Sequence, residues 1–202
     1  MPRILSESEV AGFRERLCDV AARIFIEKGR DGFNMRELAA RLGVSAMTPY
    51  RYFKDKDEIF AAVRARAFSR FAGELEAALA EHPGTRGTPQ QAGEALADAY
   101  MRFALTESAC YRLMFDLSQP SEQNQPELAR ATARLRAAMT GHVRHLVGAG
   151  IYEGDAEILG QTIWAALHGA IVLHLAGKLT RAEFDQVRRE AMDAFARAFS
   201  RA

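Results

Sequence analysis

Apolar residues recur along this chain at steps of three and four, the period of a helix with one buried face. Nowhere do they alternate with polar residues at period two. Over residues 8–28 the apolar set is Val10, Phe13, Leu17, Val20, Ala21, Ile24 and Phe25, closed by Gly29 as a C-terminal stop. Asn34 with Glu37 makes a capping-box pattern that opens a second helix over 35–42, ended by Gly43. Ser45 can cap a short third helix reaching Tyr52. Pro49 lacks an N–H, so Thr48 as cap with Pro49 in the first helical position is the other option. Asp55 and Glu58 start a long fourth helix to about residue 80, with Phe60, Val63, Ala67, Phe71 and Leu75 on one side.

The run His82-Pro83-Gly84-Thr85-Arg86-Gly87 predicts a loop, after which Thr88 and Pro89 start a fifth helix to about residue 106. Ser108 caps a short aromatic helix over 111–115, and a polar loop over 118–126 precedes a helix to about residue 147. Gly148, Gly150 and Gly154 punctuate the next turn. Asp155 then caps an apolar helix, and Thr180 with Glu183 forms a capping box for a last helix. The expected fold class is all-α, with about nine helices.

The apolar helix over 158–177 has twenty residues without Asp, Glu, Lys or Arg, the length of a bilayer span. Gln161, Thr162, His168 and His174 interrupt it, and the flanking basic residues favour neither side. It reads as a helix buried on most of its faces, with no membrane as partner. Residues 1–8 lack the basic region and apolar run of a signal peptide. Cys18 and Cys110 are too few for a disulfide framework or a four-ligand zinc site, and read as reduced core residues of a cytoplasmic protein.

At 202 residues, 49% hydrophobic and 26% charged, the composition is that of an ordinary globular chain of one large or two small domains. Lys and Arg number 27 against 26 Asp and Glu, a net charge of +1 that excludes a polycationic coat for nucleic acid. A local patch survives that exclusion. Between residues 34 and 56 the five basic residues Arg36, Arg41, Arg51, Lys54 and Lys56 face only two acids, Glu37 and Asp55. From residue 60 onward 16 basic and 16 acidic residues cancel.

The same stretch carries a steric pattern. Ala39 precedes Gly43 by four residues, and the tight connection Gly43-Val44-Ser45 joins two short helices. Helices crossing steeply need a small residue at the contact, and the turn needs one that tolerates positive φ. That is a helix-turn-helix, whose second helix enters the DNA major groove. The segment Gly43-Val44-Ser45-Ala46-Met47-Thr48-Pro49-Tyr50-Arg51-Tyr52-Phe53-Lys54-Asp55-Lys56-Asp57-Glu58-Ile59 resembles the signature of the TetR family of bacterial regulators. There a helix-turn-helix ends in an aromatic-x-aromatic-Phe run and a lysine opens the next helix; the resemblance covers residues 8–60. It implies a DNA-binding domain over 1–56, with the helix-turn-helix at about 34–53, and a ligand-sensing and dimerisation domain over 57–202.

The candidate DNA-binding residues are Arg36, Ser45, Ala46, Met47, Thr48, Tyr50, Arg51, Tyr52 and Lys56. Lys56 stands where the macrodipole disfavours a cation, and a phosphate held between it and the free helix N–H groups would reverse that penalty. Asp57 and Glu58 offer a blander compensation. Tyr50 and Tyr52 can donate hydroxyls to phosphate or pack, and Phe53 reads as core. Ala46 and Met47 offer apolar contact to thymine methyls, Thr48 a hydroxyl, and Arg51 either guanine or backbone contact.

In the remainder, Ala109-Cys110-Tyr111-Arg112-Leu113-Met114-Phe115 and Trp164-Ala165-Ala166-Leu167-His168-Gly169 resemble the C-terminal domain of a TetR subgroup with a Trp-x-x-x-His-Gly motif. Trp164 and His168 lie one turn apart and either line a cavity or pack as a core pair, with Gly169 permitting close helix approach. Phe103, Tyr111, Met114, Phe115, Met139 and His142 complete the candidate ligand-binding set, for a small, largely apolar effector or as plain core. His142-x-x-His145 suggests a metal site, but no Glu-x-x-His or His-Glu-x-x-His accompanies it, so no metal, cofactor or catalytic residue is expected.

The resemblance further implies a homodimer built on the two C-terminal helices, with Leu167, Ile171, Phe184, Val187, Ala191 and Phe195 as candidate interface residues. The expected function is a ligand-responsive repressor on a palindromic operator of double-stranded DNA. An activator or a ligand-independent regulator of the same fold is the alternative, and a helical-bundle metalloenzyme a distant one.

Overall fold

The computed structural model of the chain describes residues 6–81, 89–116 and 124–200. These hold eight α-helices: α1 (Glu7–Lys28), α2 (Met35–Arg41), α3 (Lys56–Ala80), α4 (Pro89–Thr106), α5 (Ser108–Met114), α6 (Pro126–Gly148), α7 (Ala156–Leu175) and α8 (Arg181–Phe199). The fold class is all-α, as the periodicity requires. The ninth expected helix is a single 3-10 turn, Pro49–Arg51. The predicted loop at 82–87, the start of α4 at Thr88, residues 118–123 of the polar loop and the first five residues lie outside the described residues.

Side-chain caps set several helix starts. The hydroxyls of Ser6 and Thr180 accept from the N–H groups of Glu9 and Glu183, whose carboxylates reach back to complete capping boxes. Asp155 accepts from the N–H groups of Glu157 and Ile158. At α2 the expected box is half formed. Asn34 accepts from Arg36 N at 2.8 Å, but Glu37 turns away to bond Lys28 and Arg41, cations stronger than a backbone N–H.

Contacts group the chain into two compact units. The first runs to Phe68 and takes in Ala109–Thr132; the second comprises Ser69–Ser108 and the chain from Ala133. Both α3 and α6 therefore pass from one unit to the other within a continuous helix. The core of the first unit is Leu17, Ala21, Ile24 and Phe25 of α1, Leu38 of α2, Phe53, and Ile59, Phe60 and Val63 of α3, with Leu113 of α5. Phe25 stacks on Phe33 at 4.2 Å and meets Phe60 edge-on at 4.6 Å.

In the second unit Phe71 of α3 stacks on Phe103 of α4 at 4.2 Å, and Leu135, Met139, Val143 and Leu146 of α6 are buried. α7 comes close to α6 at Gly160. A Cβ there would lie 2.8 Å from Thr140 Cγ2 and 3.1 Å from Thr140 Cα, so only glycine fits as the helices stand. Gly169, by contrast, has nothing within 4 Å of such a Cβ, so the close approach expected there is not made among the described residues.

The reading of α7 as buried on most of its faces is corrected. Gly160, Leu167, Ala170 and Ile171 are buried, while Ile158, Val172 and Leu173 are exposed. α4, α6 and α8 cover one side only, and the other keeps an apolar surface that the described residues do not cover. Length and composition alone would let α7 cross a bilayer. Its buried side, Gly160, Leu167, Ala170 and Ile171, packs within the core of the second unit.

Candidate nucleic-acid interface

Ala39 is buried where α2 meets the following turn, and Gly43 has φ +67°, the left-handed conformation that the tight connection requires. Val44 N donates to Ala39 O at 3.0 Å and reverses the chain. The segment after it cannot wind as a full α-helix. Pro49 offers no N–H to the Ser45 carbonyl, which instead accepts from Thr48 N at 2.9 Å. Arg51 N to Thr48 O and Tyr52 N to Pro49 O continue this tighter pattern, at 3.1 and 3.0 Å.

Pro49 and Phe53 are buried and anchor the segment, while Ser45, Ala46, Met47, Tyr50 and Arg51 face solvent. Thr48 is half-buried, with its hydroxyl 3.0 Å from that of Ser45. Tyr52 is half-buried with its ring 4.9 Å from Phe13, whereas Tyr50 is 46% exposed. Of the two tyrosines, Tyr50 presents the more accessible ring.

The start of α3 departs from the expected anion site. Asp55 Oδ1 accepts from Asp57 N at 3.0 Å and Glu58 N at 2.9 Å, and Glu58 accepts from Lys54 N at 2.6 Å. The N–H groups expected to hold a phosphate with Lys56 are already capped by carboxylates, which the helix N-terminus favours. The Lys56 ammonium, exposed beside them, is what remains for an anion.

Charge is redistributed as well. Arg41 is bound to Glu27 and Glu37, each at 2.7 Å, and Glu37 also takes Lys28 at 2.7 Å. Hydrogen bonds from Lys28 and then Arg41 hold the Glu37 carboxyl below its usual range, and the bond from Arg41 does the same for Glu27. The Arg41 guanidinium is pushed up, chiefly by Glu27. Asp57 pairs with Arg30 at 2.9 Å. Arg41 thus braces α1 against α2, while Arg36, Arg51, Lys54 and Lys56 are exposed around the turn.

The candidate ligand-binding residues fall into two sets. Tyr111 and Met114 are buried and Phe115 half-buried in the first unit, where Phe115 lies 4.9 Å from Tyr111 and edge-on to Phe68 at 5.5 Å. Phe103, Met139, His142, Trp164 and His168 belong to the second unit. There Trp164 Nε1 donates to the buried Tyr100 hydroxyl at 2.9 Å, and a Cβ at Gly93 would meet His142 Nε2 at 3.1 Å. Burial pushes the half-buried His168 imidazole below its ordinary pKa.

One buried charge escaped the sequence reading. Arg64 of α3 is 6% exposed, and its Nη2 and Nε donate to Met114 O at 2.9 and 3.3 Å. The cation meets the carbonyl end of α5, where the helix dipole favours positive charge. The signal was legible: Arg64 sits one turn from both Phe60 and Phe68, on the apolar side of α3.

The interface set is also rearranged. Leu167, Ile171 and Phe184 are buried within this single chain and serve its own core, in which α7 and α8 pack on each other and the Phe184 ring stacks on His174 at 5.0 Å. Val187 is exposed, and Ala191 and Phe195 are half-buried. Ile158, Val172 and Leu173, not singled out in the sequence, are the exposed large apolar residues of α7.

Residues 17–63 match the family described as "Bacterial regulatory proteins, tetR family", and residues 94–199 match "Tetracyclin repressor-like, C-terminal domain". The HTH-type transcriptional activator FasR of Mycolicibacterium smegmatis is 28% identical over 134 residues, covering 66% of this chain and 58% of the relative. The HTH-type transcriptional repressor Rv1474c of Mycobacterium tuberculosis is 35% identical over 72 residues, 36% of this chain and 38% of the relative. The chain therefore spans less than two thirds of either relative's length. A Rhodococcus sp. RHA1 structure of unknown function superposes with a TM-score of 0.80 at 26% identity, covering 100% of both chains. The regulator PfmR of Thermus thermophilus shares the fold, with a TM-score of 0.66 at 23% identity over 92% of this chain and 100% of that one.

Proposed function

The chain belongs to the TetR family of bacterial transcriptional regulators, and from that premise we propose that it is a ligand-responsive repressor that binds a palindromic operator as a homodimer. It is a regulator, not an enzyme. One observation carries the DNA reading. The turn at Gly43 brings Ala46, Met47, Tyr50 and Arg51 to the surface beside Arg36 and Lys56, while the nearby acids Glu37, Asp55 and Asp57 are engaged within the protein. Arg36, Tyr50 and Lys56 position the duplex through phosphates, and the segment over 45–52 faces base edges.

The second copy docks on α7 and α8 through Ile158, Val172, Leu173 and Val187, whose exposure in the single chain supports this reading. A small, largely apolar effector binds among the aromatic and sulfur-bearing residues of the C-terminal part and lowers operator affinity. The effector must then bind the DNA-free form more tightly than the DNA-bound one. The relatives named include both an activator and a repressor, so activation on the same fold is the second reading.

The test is a salt titration of binding to duplexes selected from random DNA. Tyr50→Phe and Lys56→Ala weaken binding to all sequences, and Lys56→Ala flattens the log–log salt slope by about 0.9 per lost phosphate contact. Unchanged affinity and slope in both variants would remove these residues from the interface. Light scattering at micromolar concentration shows a dimer without detergent; a monodisperse monomer contradicts the assembly.

A further inference from the structure

On the DNA-binding reading, we infer that Arg14 of α1 is a positioning residue for the segment over 49–53, and that Glu127, in the first turn of α6, is what holds it there. The 3-10 turn Pro49–Arg51 ends on Phe53, which is 1% exposed and donates its N–H to Pro49 O at 3.0 Å. Two successive residues of α1 lie against that end. The Phe13 ring is 4.9 Å from Tyr52, and the Arg14 guanidinium stands over the Phe53 ring, 4.8 Å from its centre. A planar guanidinium covers an aromatic face as a point charge on a flexible stem does not.

Arginine is long and rich in rotamers, so the ring contact alone would leave the guanidinium much of its freedom. Glu127 restricts it: its Oε2 accepts from Arg14 Nη1 at 3.2 Å. The carboxylate itself stands on a fixed base. It belongs to the first turn of α6, where the helix N-terminus favours an anion, and Leu128 beside it and Ala131 one turn on are buried. A bond between residues 113 apart in sequence thus reaches the residue that closes the DNA-reading turn, and all of these residues lie in the first unit. A phosphate contact is the competing role for Arg14, and the two roles give Glu127 opposite signs. If Arg14 held phosphate, Glu127 would draw it away and repel the duplex, and removing that charge would tighten binding. If Arg14 positions the segment, removing the charge weakens binding.

The sign is the test. Glu127→Gln and Arg14→Gln, singly and together in the full-length protein, are titrated by fluorescence anisotropy against duplexes enriched from random DNA, over a range of salt. Glu127→Gln weakens binding about two- to fivefold although it takes a negative charge away. That range is the worth of one solvent-screened ion pair, here with side chains 37% and 49% exposed. Arg14→Gln loses the ring contact as well and weakens binding at least as much. The double variant binds no more weakly than Arg14→Gln, because Glu127 acts through Arg14. Log–log salt slopes stay at the wild-type value, since no phosphate contact is lost. The active fraction from stoichiometric titration is unchanged too, whereas a fault in folding alone would lower it. Four results each overturn the assignment and leave DNA binding standing: tighter or unchanged binding by Glu127→Gln, additive losses in the double variant, a slope lower by about 0.9 in Arg14→Gln, or a fallen active fraction that accounts for the loss. Failure to enrich any duplex overturns the DNA-binding reading itself.

Discussion

Gly160→Ala tests how closely α7 is seated on α6. Alanine is the better helix former by about 1 kcal/mol, so on propensity alone the variant would be more stable. The structure reverses that sign. The new Cβ would stand 2.8 Å from Thr140 Cγ2 and 3.1 Å from Thr140 Cα. The Cα is backbone, and the side chain is held: Thr140 Oγ1 donates to Arg136 O and accepts from Arg144 Nη1, each at 3.1 Å. Overpacking of this kind costs about 1–3 kcal/mol, so a net loss of up to about 2 kcal/mol is expected. For a chain of this size each kcal/mol lowers Tm by about 2–4 °C.

Denaturant unfolding at fixed protomer concentration measures the loss, since the proposed dimerisation would make apparent stability concentration-dependent. Thr140→Ser supplies the internal control. It removes Cγ2 and keeps the hydroxyl, so Gly160→Ala in that background is less costly, with a coupling of about 0.5–2 kcal/mol. A Gly160→Ala variant more stable than wild type, or an equal penalty in both backgrounds, would refute the contact.

Three further outcomes follow from the same geometry. Gly169→Ala meets no atom within 4 Å among the described residues, so it raises stability by about 0.5–1 kcal/mol without changing the proposed dimer's dissociation; a loss would mean that another chain approaches there. His168 is held below its ordinary pKa by burial, so folding favours the neutral ring. Its contribution is complete above the unfolded pKa near 6.5 and is lost as pH falls through that value toward the folded one, so His168→Asn flattens Tm against pH between about 5 and 7. Arg41→Gln breaks the brace to Glu27 and Glu37 and lowers thermal stability at low salt, yet it leaves the operator salt slope unchanged; a slope lower by about 0.9 would show that Arg41 binds phosphate.

Helices and their starts were legible because local chemistry sets them. Thr180 with Glu183, and Asp155, cap where the sequence places them, each through atoms within four residues. The turn at Gly43 was legible for the same reason. Partner choice among charges was not. Arg41 counts toward a basic patch in sequence, but Glu27, fourteen residues earlier, claims it, and only folding brings the two together. Asp57 and Glu58 likewise read as compensation for Lys56, whereas Asp57 pairs with Arg30, twenty-seven residues earlier, and the carboxylate of Asp55 takes the N–H groups assigned to a phosphate.

Periodicity also left the division between core and surface unresolved on the last two helices. Leu167, Ile171 and Phe184 carry the right apolar character for an interface, but so do Ile158, Val172 and Leu173. Which set turns inward depends on the packing of α4, α6 and α8, and no single helix encodes that. Pro49 was legible as a complication, and its missing N–H is why the third element shrinks to one 3-10 turn.

The passage of α3 through both units bears on how freely such regulators can be recombined. Its 25 residues are one α-helix, and those up to Phe68 belong to the first unit. Leu113, from far along the chain, completes the core formed by Leu17, Phe25 and Phe60. A helix-turn-helix segment excised at residue 56 would leave that core open, so exchanging such segments between proteins of this fold by cut and paste at that boundary should yield insoluble hybrids. A graft that also carries α3 to Phe68 and the α5 segment keeps the core of the first unit intact.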